Sequence, residues 1–458
     1  MKETIEESIS RTISKTRFED LSKAAVQAAK RSTLDTISAM VAGSTAAGVE
    51  TVVKMALKWG GTGEAHIIGF GTSVPVPMAA LCNGTMARAL EIDDCVDFLP
   101  VHPSASAVPA LFALSELKKN ITGRDFITAL CVGQDMKIRM GLTVRRNAME
   151  SGRNNMFKIF GPTAAISKAM NFSPEQTRNA LGLSFSFAVG DGQCALDGAL
   201  SLRLQQGIVA QGALLSALLT SECFTGAKEF LMGRYGYLQA YEPDPRLEFL
   251  YENFGKYFYG EQITIKPFSA CRATHSSIAL ALGLRPKIKN IREIDRVLVH
   301  TCPSVYGLVA KQWEAKPPDS VAGAQFSIQF TVAAALMRGD VFLNELEPEV
   351  RENTGLRDLA QRVTVLPTPA LVTDSVLGKT TMEILLKNGK SLTGEMEFPP
   401  GNPARPVSYK ECAEKLSKCS QYCVRNFSAE RVEKIIETVD HMEEVADVST
   451  LVSLLGEG

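Results

Sequence analysis

Apolar residues recur at helical spacing from Asp20 to about Ala240, as in LSKAAVQAAKRSTLDTISAMVAG, with glycine and Ser-Pro as punctuation. This half is predicted to be helical. Ser173-Pro174-Glu175-Gln176 marks a helix start, with serine to cap, proline at the first position and glutamine at the third. GIVAQGALLSALL is apolar nearly all round, the pattern of a helix buried among helices. After about Ile265 the texture changes to β-branched runs: RVLVHTCP, RVTVLPT and TTMEILLKNGKSLTGEMEF. These are predicted strands, the last a hairpin with a type I′ turn at Asn388-Gly389. Helical stretches such as SSIALALGL and QFTVAAALMRG lie between them, so this part reads as α+β. PPGNPARPVS breaks the pattern, and Ser428 then caps AERVEKIIETVDHMEEV, whose Val432, Ile435, Ile436, Val439 and Met442 form one stripe. That stripe needs a partner, which an N-terminal helical domain supplies most simply. The expected organisation is a mainly α protein with an α+β lid: residues 1–264 and 402–458 form a helical domain and residues 265–401 the lid.

A chain of 458 residues exceeds what one core holds, about 250–300 residues, which agrees with two domains. The 49 basic side chains nearly cancel the 50 acidic ones, and no long basic run is present, so neither nucleic acid nor an anionic membrane is the expected partner. A small molecule is. The start MKETIEESISRT is charged, and no apolar run approaches the ~18 residues of a membrane span, so a soluble cytoplasmic protein is expected. The ten cysteines read as reduced thiols, most of them in apolar stretches. Cys412, Cys419 and Cys423 lie in a polar helical segment without metal-site spacing and read as surface or half-buried thiols.

Titratable residues crowd most closely in ALEIDDCVDFLPVHPSASAVPALFALSE, where Glu91, Asp93, Asp94 and Asp97 precede His102-Pro103. Carboxylates packed this closely and partly buried cannot all ionise freely, a condition suited to acid/base work. The competing reading is an exposed acidic turn, with Ser104 or Ser106 capping the next helix. Five histidines are present. His66 and His300 sit in strand-like apolar runs and read as structural, and His441 as surface. His102, and His275 in KPFSACRATHSSIA, stand in polar settings beside helix starts and are the better candidates. Lys266, Cys271, Arg272 and His275 would place a cation, a thiol and an imidazole at a cleft between domains. The glycine-rich stretches match neither the dinucleotide nor the P-loop pattern.

These residues fall within an ordered set of motifs: NGTMARALEIDDCVD, VHPSASAVPALFALSE, IFGPTAAISKAM, SLRLQQGIVAQGALLSALLTSECFTG, IKPFSACRATHSSIALA, QFSIQFTVAAALMRGDV and GNPARPVS. The set resembles the MmgE/PrpD family, whose members include dehydratases, decarboxylases and epimerases of small carboxylic acids. The resemblance implies a helical domain built from both chain ends, an α+β lid, a homodimer, and a cleft active site with no metal or organic cofactor. Within the family pattern NGTAAHALDFDDT, this chain has Arg88 for the histidine, Glu91 for the first aspartate and Cys95 for the threonine; Asp93 and Asp94 match. His102, Lys266 and His275 also match. A family histidine falls on Asn155, and the lysine and histidine of a further motif fall on Leu202 and Gln205, with Arg203 the nearest cation. Asn155 and Gln205 do not titrate near neutrality, whereas histidines in their places would.

The resemblance therefore implies a dehydratase-like lyase that removes a proton α to a carboxylate of a small di- or tricarboxylate such as a 2-methylcitrate-like acid. His102 would move the proton, with His275 as second proton handler. Asp93 and Glu91 would set the protonation of His102, and Lys266 and Arg203 would hold carboxylates. Arg88, Asp94, Asn155 and Gln205 would complete the binding set. An isomerase or epimerase using the same proton abstraction, and a catalytically degenerate small-acid binder, are the alternatives.

Overall fold

The computed structural model describes residues 3–145, 156–310, 320–373 and 375–456. It is mainly helical, and the chain separates into two compact units: Met1–Ala89, Leu99–Ile263 and Ser408–Gly458 in the first, Leu90–Phe98 and Thr264–Val407 in the second. Among the described residues no helix is long and apolar enough to cross a membrane.

The first unit contains α1 (Ile5–Lys15), α2 (Lys23–Gly43), α3 (Val49–Trp59), α4 (Val76–Arg88), α5 (Ser104–Leu117), α6 (Gly123–Thr143), α7 (Phe160–Ala169), α8 (Pro174–Ser184) and α9 (Ser201–Ser221). A short antiparallel ribbon, β1 (Ala65–Ile67) and β2 (Thr72–Val74), precedes α4. The predicted start of α8 forms as a full capping box: Ser173 accepts from the Gln176 amide, and the Gln176 side chain accepts from the Ser173 amide. Helix α9 packs along α4, and α6 along α7, burying the nearly continuous apolar faces that the sequence indicated. The chain ends with α13 (Tyr409–Ser420), α14 (Ala429–Asp440) and α15 (Ser449–Gly456) in this same unit. Ser428 caps α14, and Val432, Ile435, Val439 and Met442 of its stripe are buried, with α14 packed on α2, α13 and α15. The buried ion pair Lys415–Asp35 ties α13 to α2.

Helix α6 also carries a fully buried pair, Arg139 Nε to Asp135 Oδ2 at 2.7 Å. The remaining nitrogens of Arg139 donate to the carbonyls of Phe249, Glu252, Asn253 and Tyr257, so one guanidinium staples an irregular segment to the helix.

In the second unit α10 (His275–Leu284), α11 (Ile328–Arg338) and α12 (Thr354–Gln361) accompany a four-stranded sheet. Its strands are β3 (Ile294–Thr301), β4 (Val363–Pro367), β5 (Thr380–Leu386) and β6 (Ser391–Met396), in the order β4-β3-β5-β6. β3 runs parallel to β4 and antiparallel to β5, which in turn pairs antiparallel with β6. Alternate residues of β5 are buried, as a strand with one covered face requires. Helix α10 packs on β5 and β6, and α11 on β4, enclosing Ile278, Ala281, Val297, Val299, Val332, Leu336, Met382 and Ile384.

The β5–β6 connection corrects the predicted turn. A type I′ turn needs positive φ at both central residues, yet of Asn388 and Gly389 only the glycine has it, at +80°. The Gly389 amide donates to Leu386 O and the Leu386 amide to Lys390 O, giving a three-residue loop with a glycine bulge. Asn388 acts instead through its side chain, whose Oδ1 accepts from the Lys390 amide.

Candidate functional site

The acidic segment Leu90–Phe98 is held by the second unit as a strap. Its start is fixed at Leu90 O, which accepts from Ser269 Oγ and from Gln325 Nε2, each at 2.8 Å. Cys95 and Thr264 exchange backbone hydrogen bonds in both directions. Between these anchors Lys266 donates to both the Oε2 and the backbone O of Glu91, at 3.0 and 3.2 Å. Glu91 has a left-handed backbone, φ +58°, a conformation that costs a non-glycine residue about 1–3 kcal/mol and persists only where its surroundings impose it. Here the lysine grips backbone and side chain together. Its ammonium is withdrawn from solvent, the side chain 1% exposed. Asp93 and Asp94 are fully buried in the same strap, as is the Cys95 thiol, which burial shifts well above its ordinary range.

The far end of the strap meets Arg272. Its Nε and Nη2 donate to Asp97 Oδ1 and Oδ2 at 2.7 and 2.8 Å, a bidentate fork, and Asn402 Nδ2 adds a third bond at 2.7 Å. Burial alone would raise the Asp97 pKa, but the Arg272 guanidinium and the Asn402 amide outweigh it and hold the carboxyl below its ordinary value. Arg272 also donates to Pro400 O at 2.7 Å and Pro399 O at 3.3 Å. The turn carrying these carbonyls lies against Ile265 through Gly401, φ +90°, where an added Cβ would fall 1.9 Å from Ile265 O. Completing the cluster, Arg272 Nη1 lies 3.2 Å from His275 Nδ1, and His275 Nε2 lies 3.1 Å from Ala270 O. Phe268 packs edge-on against the imidazole of His275.

The other candidates belong to the first unit. His102, half-buried, immediately precedes the first turn of α5. Neither Ser104 nor Ser106 caps that helix, as the turn reading had expected, because α5 begins at Ser104 with Pro103 in the capping position and no side-chain cap. Both serines lie buried inside the first turn. Ser104 Oγ accepts from Gln134 Nε2, and Ser106 Oγ from Lys137 Nζ, each at 2.8 Å. Lys137 also lies 3.4 Å from Gln206 Oε1. It is fully buried on α6, a cation that the sequence reading passed over. Gln205, in α9, donates to Asp191 and to Cys194 Sγ. Half-buried Arg203 reaches Ala47 O at 2.7 Å, and Arg88 is buried in the last turn of α4. Asn155 lies outside the described residues.

The structure thus brings Glu91, Asp93 and Asp94 together with Lys266 and His275 in one unit, and sets His102, Arg88, Arg203 and Gln205 in the other. Sequence reasoning named Arg272 beside Lys266 without giving it a role, and passed over Lys137 altogether. The only sequence signal for either is a long cation in an otherwise small or apolar run, SACRATHSS and CVGQDMKIRMG. The reading of Cys412, Cys419 and Cys423 also needs correction: all three are buried, the first two because α13 turns that edge onto α2, where burial raises their thiols to about 12, and Cys423, beyond the helix, against Ser44 and Gly69. His66, bonded to Glu116, and His300, bonded to Thr368, sit in β1 and β3.

Residues 7–250 match the MmgE/PrpD N-terminal domain, and residues 268–442 match the MmgE/PrpD C-terminal domain. The chain is 25% identical over 458 residues to cis-aconitate decarboxylase-like protein oryM of Aspergillus oryzae, covering 95% of this chain and 94% of that protein. It is 25% identical over 463 residues to cis-aconitate decarboxylase of Aspergillus terreus (95% and 93%), and 23% identical over 473 residues to that of Homo sapiens (99% and 95%). Similarity over nearly the full length to proteins with lyase names supports an enzyme with a lyase-type activity. With both domain models matched in order along its length, the chain belongs to the MmgE/PrpD family.

Proposed function

We propose that this protein is a lyase that removes a proton α to a carboxylate of a small di- or tricarboxylate. The observation that carries the reading is the similarity, across 95% or more of the chain, to three proteins named as cis-aconitate decarboxylases or decarboxylase-like. That makes cis-aconitate the first substrate to test, beside a 2-methylcitrate-like acid. In this reading His102, as neutral imidazole, takes the α-proton of an acid that undergoes elimination; where the substrate is decarboxylated instead, the C–C bond breaks, CO2 leaves, and His102 as imidazolium delivers a proton to the enolate-like carbon skeleton. A positioned acid/base group of this kind contributes about 10²–10⁴-fold to the rate. Lys266 and Arg203 supply fixed positive charge for substrate carboxylates and for the enolate-like charge that develops as the proton leaves. Glu91 lies 3.0 Å from Lys266, so an acid and a cation stand together in the strap.

A second reading has its own support. Gln205, and Asn155 at the other family histidine position, cannot titrate near neutrality, which favours a small-acid binder that has lost turnover. One experiment separates the cases. The protein is incubated in heavy water with a panel of di- and tricarboxylates and followed by NMR. A lyase yields an eliminated or decarboxylated product. An isomerase returns substrate carrying solvent deuterium with no new alkene, and a binder raises its melting temperature with neither. Near wild-type turnover in both His102→Ala and Lys266→Ala would end the assignment of these two residues.

A further inference from the structure

The family pattern offers His275 as a proton handler, but the bonds around it constrain the imidazole more tightly than that role allows. A guanidinium is always protonated and has no acceptor, so Arg272 Nη1, 3.2 Å from His275 Nδ1, can only donate. The Nδ1 atom must therefore be bare. A carbonyl oxygen can only accept, so Nε2, 3.1 Å from Ala270 O, must carry the proton. The ring is fully buried, with Phe268 against it. Arg272 faces it at Nδ1, and the other edge of that guanidinium is taken up by Asp97 of the strap. A second proton on the imidazole would set two donors against each other at Nδ1.

We propose that His275 is a positioning residue and not a proton handler: Arg272 locks it as the neutral, Nε2-protonated tautomer, and the pair braces the acidic strap from Asp97 to the start of α10. The chain of contacts is continuous. Asp97 binds the Nε/Nη2 edge of Arg272; Nη1 turns to Pro400 O and His275; His275 closes onto Ala270, two residues before Arg272. This deepens the lyase reading and rests on it only for its kinetic arm. In that reading one of the two matched histidines, His102, is left to move protons, and His275 sets where the strap's carboxylates lie.

The spectroscopic arm needs no substrate. With only five histidines in the chain, selective ¹⁵N labelling and a long-range ¹H–¹⁵N correlation spectrum of the full-length protein resolve each ring. His275 is identified by the signal that disappears in His275→Gln, or by elimination using glutamine variants of the other four if that variant does not fold. One bare Nδ1 and one protonated Nε2 are expected, with the Nε2 proton in slow exchange, and Arg272→Lys is expected to shift the Nδ1 resonance. A doubly protonated ring, the opposite tautomer, or an Nδ1 resonance indifferent to Arg272→Lys overturns the proposal.

The kinetic arm uses His275→Gln, whose amide can still donate to Ala270 O. On a substrate that the wild type turns over, kcat is expected within about tenfold of wild type. A folded variant that loses 100-fold or more in kcat at unchanged KM, and in α-proton exchange, overturns the proposal. Should the wild type process none of the acids tried, the lyase reading fails while the spectrum still decides the state of His275.

Discussion

Two buried arginine–aspartate pairs, one in each unit, hold their acids in opposite ways. Asp97 meets Arg272 through a two-bond fork, receives a further bond from Asn402, and its carboxyl lies below the ordinary range. Asp135 meets Arg139 through Nε alone, because that arginine directs its other nitrogens to four backbone carbonyls; the second oxygen of Asp135 accepts from the Tyr259 amide. Burial then outweighs the arginine and the amide, and the Asp135 carboxyl rises to about 6. The same residue pair serves as a fixed charge in one place and as a staple for irregular backbone in the other. What decides is how much of the guanidinium the carboxylate receives.

The most severe way to break the contrast is Arg272→Met. Removing one partner of a buried pair costs about 3–5 kcal/mol, and urea denaturation should show a loss in that range. A fall below 1 kcal/mol would mean that Asn402 alone can hold the Asp97 charge. Asp97→Asn removes the charge and keeps the shape, so its expected cost is smaller, about 1.5–3 kcal/mol for hydrogen bonds to a charged group. Asp135→Asn should cost less again, about 1 kcal/mol, since that carboxyl is already partly protonated near pH 6.

Acid titration of stability sharpens the comparison because the two signs differ. Asp97 has a lowered folded pKa, so its contribution is fully present above the unfolded value near 3.8 and is lost as pH falls through the folded value. Asp135 has a raised one. The folded state keeps a proton that the unfolded state releases, so its contribution is lost as pH rises from 3.8 to about 6. Asp135→Asn should therefore remove part of the stability change between those two values, while Asp97→Asn leaves that window unaltered and flattens the loss below 3.8. Identical profiles for the two variants would show that the pairs are equivalent after all. The gentlest probe is thiol labelling of the native protein. Cys223 is exposed and the other nine cysteines are buried, so one thiol should react at once and ten after denaturation.

Local chemistry made much of the fold legible in the sequence. The Ser173–Gln176 box, the apolar stripe of α14 and the alternation in β5 each lie within a few residues, and periodicity reports such patterns directly. The hairpin at Gly389 was legible as a turn but not as a turn type, because an Asn-Gly pair is compatible with either loop. The site was legible as a collection of residues more than as an arrangement. Glu91 and Asp97 each find their cation 175 residues away, and no spacing rule reaches that far. Nor does periodicity reveal that a nine-residue acidic stretch leaves the helical unit to join the α+β one, since both flanks continue the helical pattern. Lys137 was hidden for a related reason. A lysine in an apolar helix reads as a surface residue until the helices around it are assembled.

The strap also governs how the gene can be divided. The polypeptide passes from one unit to the other four times, at residues 89–90, 98–99, 263–264 and 407–408. A contiguous fragment spanning 264–407 would retain Lys266 and Arg272 but lack Glu91 and Asp97, the carboxylates that pair with them in the whole chain. Cutting the chain at residues 264 and 407 therefore divides the second unit itself and leaves its strap on the other piece. A synthetic peptide spanning residues 90–98, supplied in trans, is the missing part that such a fragment would need.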